Sequence, residues 1–141
     1  MFDISIERRG QRPAGTIVIG DFRAEYGVVL GYWSAEEYRA SWARSAAAVL
    51  NNGFGRFLVS VGAPGTLFET WPCWRRGDEC VLHGAMLLGS ITVDFAHTAD
   101  AETFDSAFPR ESEEKGTLNF RRCSLADIAD FERRLSGGVA Q

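Results

Sequence analysis

The run WSAEEYRASWARSAAAVLNNG, residues 33–53, decides how the rest of the chain is read. Ser34 can accept a hydrogen bond from the amide three residues on, while Glu37 at that position reaches back to the amide of Ser34. Trp33 stands where a staple residue precedes such a cap. Tyr38, Trp42, Ala46, Val49 and Leu50 then form one apolar stripe at helical spacing, leaving Arg39, Arg44 and Ser45 for the wet side. Asn51, Asn52 and Gly53 tolerate the left-handed backbone that ends a helix, so the pattern predicts a helix over 34–52.

Toward the N-terminus, Ile4 and Ile6 alternate with Asp3, Ser5 and Glu7 at the period of a half-buried strand. Gln11 to Gly15 reads as the turn of an opening hairpin. The β-branched and aromatic run from Thr16 to Leu30 is interrupted by Gly20 and Gly27, which predicts one kinked strand or two short ones. Beyond the helix, Arg56 to Val61, Thr66 to Trp71, Glu79 to Leu88 and Ser90 to Phe95 read as strands, with turns at Ala63-Pro64-Gly65 and at Gly77. A hairpin centred on Arg76-Gly77 would set Cys73 opposite Cys80. Residues Ala96 to Lys115 read as a long polar loop, and Thr117 to Arg121 as a last strand.

Ser124 with Asp127 opens a second helix, whose Leu125, Ile128, Phe131 and Leu135 share a face before Gly137-Gly138 stops it. The expected architecture is therefore α+β, an antiparallel sheet with two helices (about 34–52 and 124–136) packed against it, in a single domain over 1–141.

Composition narrows the function. Hydrophobic residues at 45% and charged residues at 24% suit a chain that folds unaided, and 141 residues are enough to bury a core. A net charge of −4 argues against nucleic-acid binding, which rests on clustered Lys and Arg, and favours a basic partner. Val81 to Leu88, the longest apolar stretch, is interrupted by His83 and Gly84 and falls far short of the ~20 residues that cross a bilayer. Met1-Phe2-Asp3-Ile4 lacks a basic region followed by an apolar one, so the expected location is the cytoplasm, without a membrane.

The residues that carry chemistry are sparse. Cys73, Cys80 and His83 invite a zinc reading, but a structural site wants four ligands and no close fourth is evident, so no metal is expected. Three cysteines are an odd number for a disulfide framework, and reduced thiols are expected. Gly84 and Gly89 flank no nucleophilic serine, and Gly62 to Gly65 lacks the Lys-Ser/Thr of a phosphate loop. Glu36-Glu37 and Glu113-Glu114 are adjacent pairs, a poor arrangement for acid and base on one substrate. No catalytic residue and no cofactor is assigned.

Two features point to a binding surface. Trp71 and Trp74 flank Pro72 and, three apart, cannot both face one side of a regular strand, so one is a candidate interface anchor. Asp94, Asp100, Glu102, Asp105, Glu111, Glu113 and Glu114 crowd a stretch with little compensating charge, which suits docking to a basic protein. These nine residues are the expected interface.

Finally, Ile19-Gly20-Asp21-Phe22, Glu25-Tyr26, Leu30, Tyr32-Trp33-Ser34, Tyr38 and Trp42 resemble the N-terminal half of the immunity proteins of contact-dependent growth inhibition systems. Trp71-Pro72 with Arg76-Gly77-Asp78 resembles their central hairpin, and Gly116, Leu125, Ile128 and Phe131 their C-terminal stretch. The sequence departs from that pattern at Ser41, His83-Gly84 and Arg121. The resemblance implies a non-catalytic protein that binds and neutralises the toxic C-terminal domain, often a nuclease, of a cell-surface effector and so protects the producing cell. The alternative is an α+β domain that binds a small ligand or acts as an enzyme, which would need an apolar pocket or a cleft of perturbed titratable groups.

Overall fold

A computed structural model describes residues 1–10, 12–28, 30–31, 33–61, 67–88 and 120–139. Two helices pack against two antiparallel sheets in an α+β arrangement. The first sheet is a meander of β1 (Phe2–Arg9), β2 (Arg12–Ile19) and β3 (Phe22–Gly27). Helix α1 (Ala35–Asn52) follows, and then β4 (Phe54–Ser60), β5 (Leu67–Arg76), β6 (Glu79–Leu82), β7 (Ala85–Leu88), β8 (Arg121–Ser124) and helix α2 (Leu125–Val139). The second sheet runs β4-β5-β6-β8, with β7 also paired to β5. The expected single sheet is thus divided in two, on either side of α1 in the chain.

The opening turn is tighter than Gln11 to Gly15. Arg12 to Gly15 already belong to β2, and Arg9 pairs with Arg12. Pro13 is tolerated there because β3 pairs with β2 only from Ala14 onward, so the missing N–H falls where β2 has a single neighbour. Gly20 is where Thr16 to Leu30 divides into two strands, the second of the two expectations, and not a kink in one. It takes φ +61 in a two-residue turn between Ile19 and Phe22, which face each other, and makes β2 and β3 a hairpin. A Cβ at Gly20 would also lie 2.8 Å from the Arg122 carbonyl, so this turn is where the two sheets touch.

Helix α1 begins as its sequence predicts. The Glu37 amide donates to Ser34 Oγ (3.2 Å), the Ser34 amide donates to Glu37 Oε1 (3.1 Å), and Trp33 meets the Tyr38 ring edge-on at 5.3 Å. Gly53, at φ 85, closes the helix with its N–H on the Val49 carbonyl. Ser45 is not on the wet side. It is buried with Ser41, and its hydroxyl donates to the Arg56 carbonyl at 2.7 Å. The Trp42 indole N–H donates to the Leu58 carbonyl at 2.8 Å, and the Tyr38 hydroxyl accepts from the Val61 amide at 2.8 Å. Side chains 38, 42 and 45 of one helix face thereby satisfy the backbone along β4 and just past it, β4 being at one end of the sheet among the described strands.

Strand β5 carries two neighbours on one side. Cys73 faces Leu82 of β6 and Thr70 faces Ala85 of β7, so the register is unbroken while the pairing lapses at His83-Gly84. Pro72 has no N–H to give at that point, which explains the lapse. In the hairpin that follows, Gly77 takes the first turn position at φ 65, and Arg76 faces Glu79. Cys80 therefore faces Arg75, not Cys73, which corrects the expected register.

Helix α2 opens on Ser124 and Asp127, which exchange amide hydrogen bonds of 3.0 and 3.2 Å. It runs on to Val139 because Gly137 keeps a helical backbone instead of a left-handed one. Arg134 ties it to β1, donating to Asp3 at 2.9 Å and to the Phe2 carbonyl at 2.7 Å. All four pieces meet in one core. Phe2 of β1 lies 5.0 Å from Phe57 of β4 and 4.9 Å from Phe131 of α2, and Trp42 of α1 is 6.5 Å from Phe131.

Burial raises the Asp127 carboxyl, but the Ser124 amide and the Met1 ammonium at 3.1 Å outweigh it and hold Asp127 below its ordinary value. A carboxyl depressed by folding stabilises the protein above its unfolded value, about pH 4, and that contribution is lost as pH falls through the folded value. Asp127→Asn should therefore flatten the acid limb of a stability-versus-pH curve measured by urea unfolding. An unchanged acid limb would show that this cap contributes nothing.

Candidate functional site

Alternation along β5 sends Trp71 and Cys73 to the inner face of the sheet and Pro72 and Trp74 to the outer one. Both tryptophans are packed, in different surroundings. Trp74 is only 1% exposed, with its ring stacked on His83 (centroids 5.8 Å apart, 8° between planes) and 5.6 Å from Phe54. It offers no surface to a partner, because the outer face of this sheet is buried around it. Trp71 is half-buried. It lies 5.8 Å from Phe22 of the first sheet, and the Arg121 guanidinium sits 4.0 Å from the Phe22 ring centroid. A Cβ at Gly84 would lie 3.2 Å from the Trp71 ring, so the glycine leaves room for the indole. Trp71, Phe22 and Arg121 thus form a half-buried cluster at the seam between the sheets. Phe22 and Arg121 are not assigned to a site by the sequence, since nothing local marks residues that meet only through sheet packing.

Asp94, Asp100, Glu102, Asp105, Glu111, Glu113 and Glu114 lie outside the described residues. So do the expected turn at Ala63-Pro64-Gly65, the strand Ser90 to Phe95 and residues 117–119 of the expected last strand.

The outer face of the second sheet also buries Arg56 (1% exposed), Thr70 and His83. Burial lowers the His83 pKa and the nearby Arg56 charge lowers it further, against a hydrogen bond between His83 Nδ1 and the Gly84 carbonyl (2.9 Å). On the inner face, Cys73, Cys80 and Cys123 are free, buried thiols. Burial drives Cys73 well above its ordinary value and Cys123 up to about 12. Cys80 moves down, chiefly through the neighbouring Cys73 thiol. Among the described residues, no three His, Cys, Asp or Glu side chains are grouped to hold a metal ion.

A groove of about 940 Å³ lies between the helices, lined by Glu36, Arg39, Ala40, Ala43, Arg134, Leu135 and Ser136. It presents one carboxylate, two guanidinium groups, one of them committed to β1, and the Ser136 hydroxyl, which donates to Glu132 at 3.3 Å. The titratable groups that folding shifts most, Tyr26, Cys73 and Cys123, lie elsewhere. No helix among the described residues is long and apolar enough to cross a membrane.

No family model matches the sequence, and no curated protein matches it. The fold does have a counterpart among solved structures. A chain of the CdiA-CT/CdiI toxin and immunity complex from Enterobacter cloacae superposes on 97% of this chain and on 99% of its own length, with a TM-score of 0.70 and 18% sequence identity. At that identity the likeness shows a shared fold over essentially the whole of both chains.

Proposed function

We propose that this chain is an immunity protein that binds the toxic C-terminal domain of a contact-dependent growth inhibition effector and neutralises it, protecting the producing cell from within its cytoplasm. The observation that carries this reading is the end-to-end likeness to a chain of a toxin and immunity complex. The resemblance of Ile19 to Trp42 and of the Trp71 hairpin to such immunity proteins supports it from the sequence side. The whole of 1–141 acts as one binding domain, without catalysis or cofactor, on a basic toxin domain, most simply a nuclease.

The acids between Asp94 and Glu114 steer that toxin and in part contact it, with Trp71 as the aromatic anchor. Exposed charges act over about 8 Å at physiological salt, so their long-range share belongs to the association rate. Acids buried against a partner charge instead slow dissociation, and each should cost about 2 kcal/mol or more when truncated. The experiment is association and dissociation kinetics with the cognate toxin at low and high salt, for variants with the seven acids neutralised singly and together and for Trp71→Ala. The combined variant should associate more slowly and lose most of its salt dependence, and Trp71→Ala should dissociate faster. Unchanged rates in both would remove this surface from the interface.

A further inference from the structure

We propose that Cys80 and Cys123 are a disulfide-forming pair, reduced in the described structure and closed by a small-molecule disulfide such as oxidised glutathione. The two residues are direct partners in the antiparallel pairing of β6 with β8, and Cys80 is buried while Cys123 is 6% exposed. Directly opposed residues on antiparallel strands have Cα atoms about 4.5–5.5 Å apart, inside the range of about 4.4–6.8 Å that a disulfide spans without backbone movement. Cys73 is placed differently. It faces Leu82 and is diagonal to Cys80, a separation of about 7–8 Å that a disulfide does not bridge in place. The neighbouring Cys73 thiol instead favours the thiolate at Cys80.

Access comes from β8, a strand of four residues at the end of the sheet order with hydrogen-bonded pairing to β6 alone among the described strands. Such short terminal strands open locally at far less cost than the whole fold. When β8 opens, the Cys80 thiolate attacks one sulfur of oxidised glutathione, forming a mixed disulfide and expelling one glutathione thiolate. Cys123 then gives up its proton and attacks the Cys80 sulfur, expelling the second. Two protein thiols are oxidised, one glutathione disulfide is reduced, and the two protons end on the released glutathiones. The new bond joins β6 to the residue just before the α2 cap, Ser124, and closes the chain from 80 to 123 into a covalent loop.

The test uses the full chain, incubated with oxidised glutathione, alkylated under denaturing conditions and mapped by mass spectrometry. The expected product has lost two hydrogens, carries a Cys80 to Cys123 linked peptide and leaves Cys73 open to alkylation. Its Tm should rise by about 10 °C, reversed by dithiothreitol, as expected for closing a loop of this length. Cys73→Ala should still form the bond and Cys123→Ala should not, and circular dichroism establishes that each variant is folded. Three alkylatable thiols after treatment, a bond from Cys73 to Cys80, or a glutathione adduct that never resolves would each overturn the proposal.

Discussion

Gly55→Ala should destabilise the protein by about 3 kcal/mol or more, at the upper end of what overpacking costs. A Cβ at this position would stand 2.3 Å from the Ser45 carbonyl oxygen and 2.9 Å from a Val49 methyl. The nearest obstacle is helix backbone, which cannot rotate aside as a side chain can. Relief requires α1 to lift off β4, and that stretches the hydrogen bonds from Ser45 to Arg56 and from Trp42 to Leu58 in the same movement. Urea unfolding should show a much lower midpoint with an unchanged slope. A loss below about 0.5 kcal/mol, the range of an ordinary surface substitution, would mean that α1 is not seated on β4 in the way described.

Trp42→Ala should cost still more, about 4–5 kcal/mol, and be near the limit of what a chain of this size survives. Trp42 is 1% exposed and lies between Tyr38 at 6.2 Å and Phe131 at 6.5 Å, so its removal opens a cavity where α1, α2 and β4 converge. Trp42→Phe separates the two roles of the indole. It keeps most of the packing but takes the donor away from the buried Leu58 carbonyl, which should cost about 1–3 kcal/mol. If the phenylalanine variant matched the alanine variant, the hydrogen bond would outweigh the packing. If it matched the parent, that bond would contribute little.

The helices were legible because their signals are local. Ser34 with Glu37, and Ser124 with Asp127, each satisfy amides within one turn, and the stripes that follow point at one core. What local reading misjudged was where glycine acts. Gly10, Gly20 and Gly77 each open a turn at φ between 61 and 65, yet Pro13 and Gly15 drew the first turn too far along the chain, and at Gly20 one kinked strand and two short ones could not be told apart. Gly137 passed for a stop, although a glycine in a helix costs only about 1 kcal/mol relative to alanine and ends it only when the backbone turns left-handed.

Sheet partnership was illegible for a different reason. Nothing along Phe54 to Ser60 says that both faces of β4 are covered, so Arg56 and Trp74 could not be recognised as buried, nor Phe22 and Trp71 as neighbours across two sheets. The division into two sheets follows from contacts between distant segments, which alternation along one strand does not encode. The same holds for Cys80 and Cys123, whose opposition depends on β8 arriving beside β6. Of the nine residues read as the interface, Trp74 is withdrawn by its burial, Trp71 stands at the seam, and the seven acids rest on their charge alone.

On the proposed function, the chain works by binding a toxin. The direct test takes the gene's neighbours, expresses the C-terminal domain of any large surface effector found among them, mixes it with the purified protein, and follows binding by calorimetry alongside the toxin's activity. The expected result is a saturable complex with a Kd of about 10⁻⁷ M or tighter, as specific interfaces of ordinary size give, and toxin activity that vanishes as the complex saturates. Heat at the level of dilution, with a toxin that stays fully active at excess protein, would contradict it.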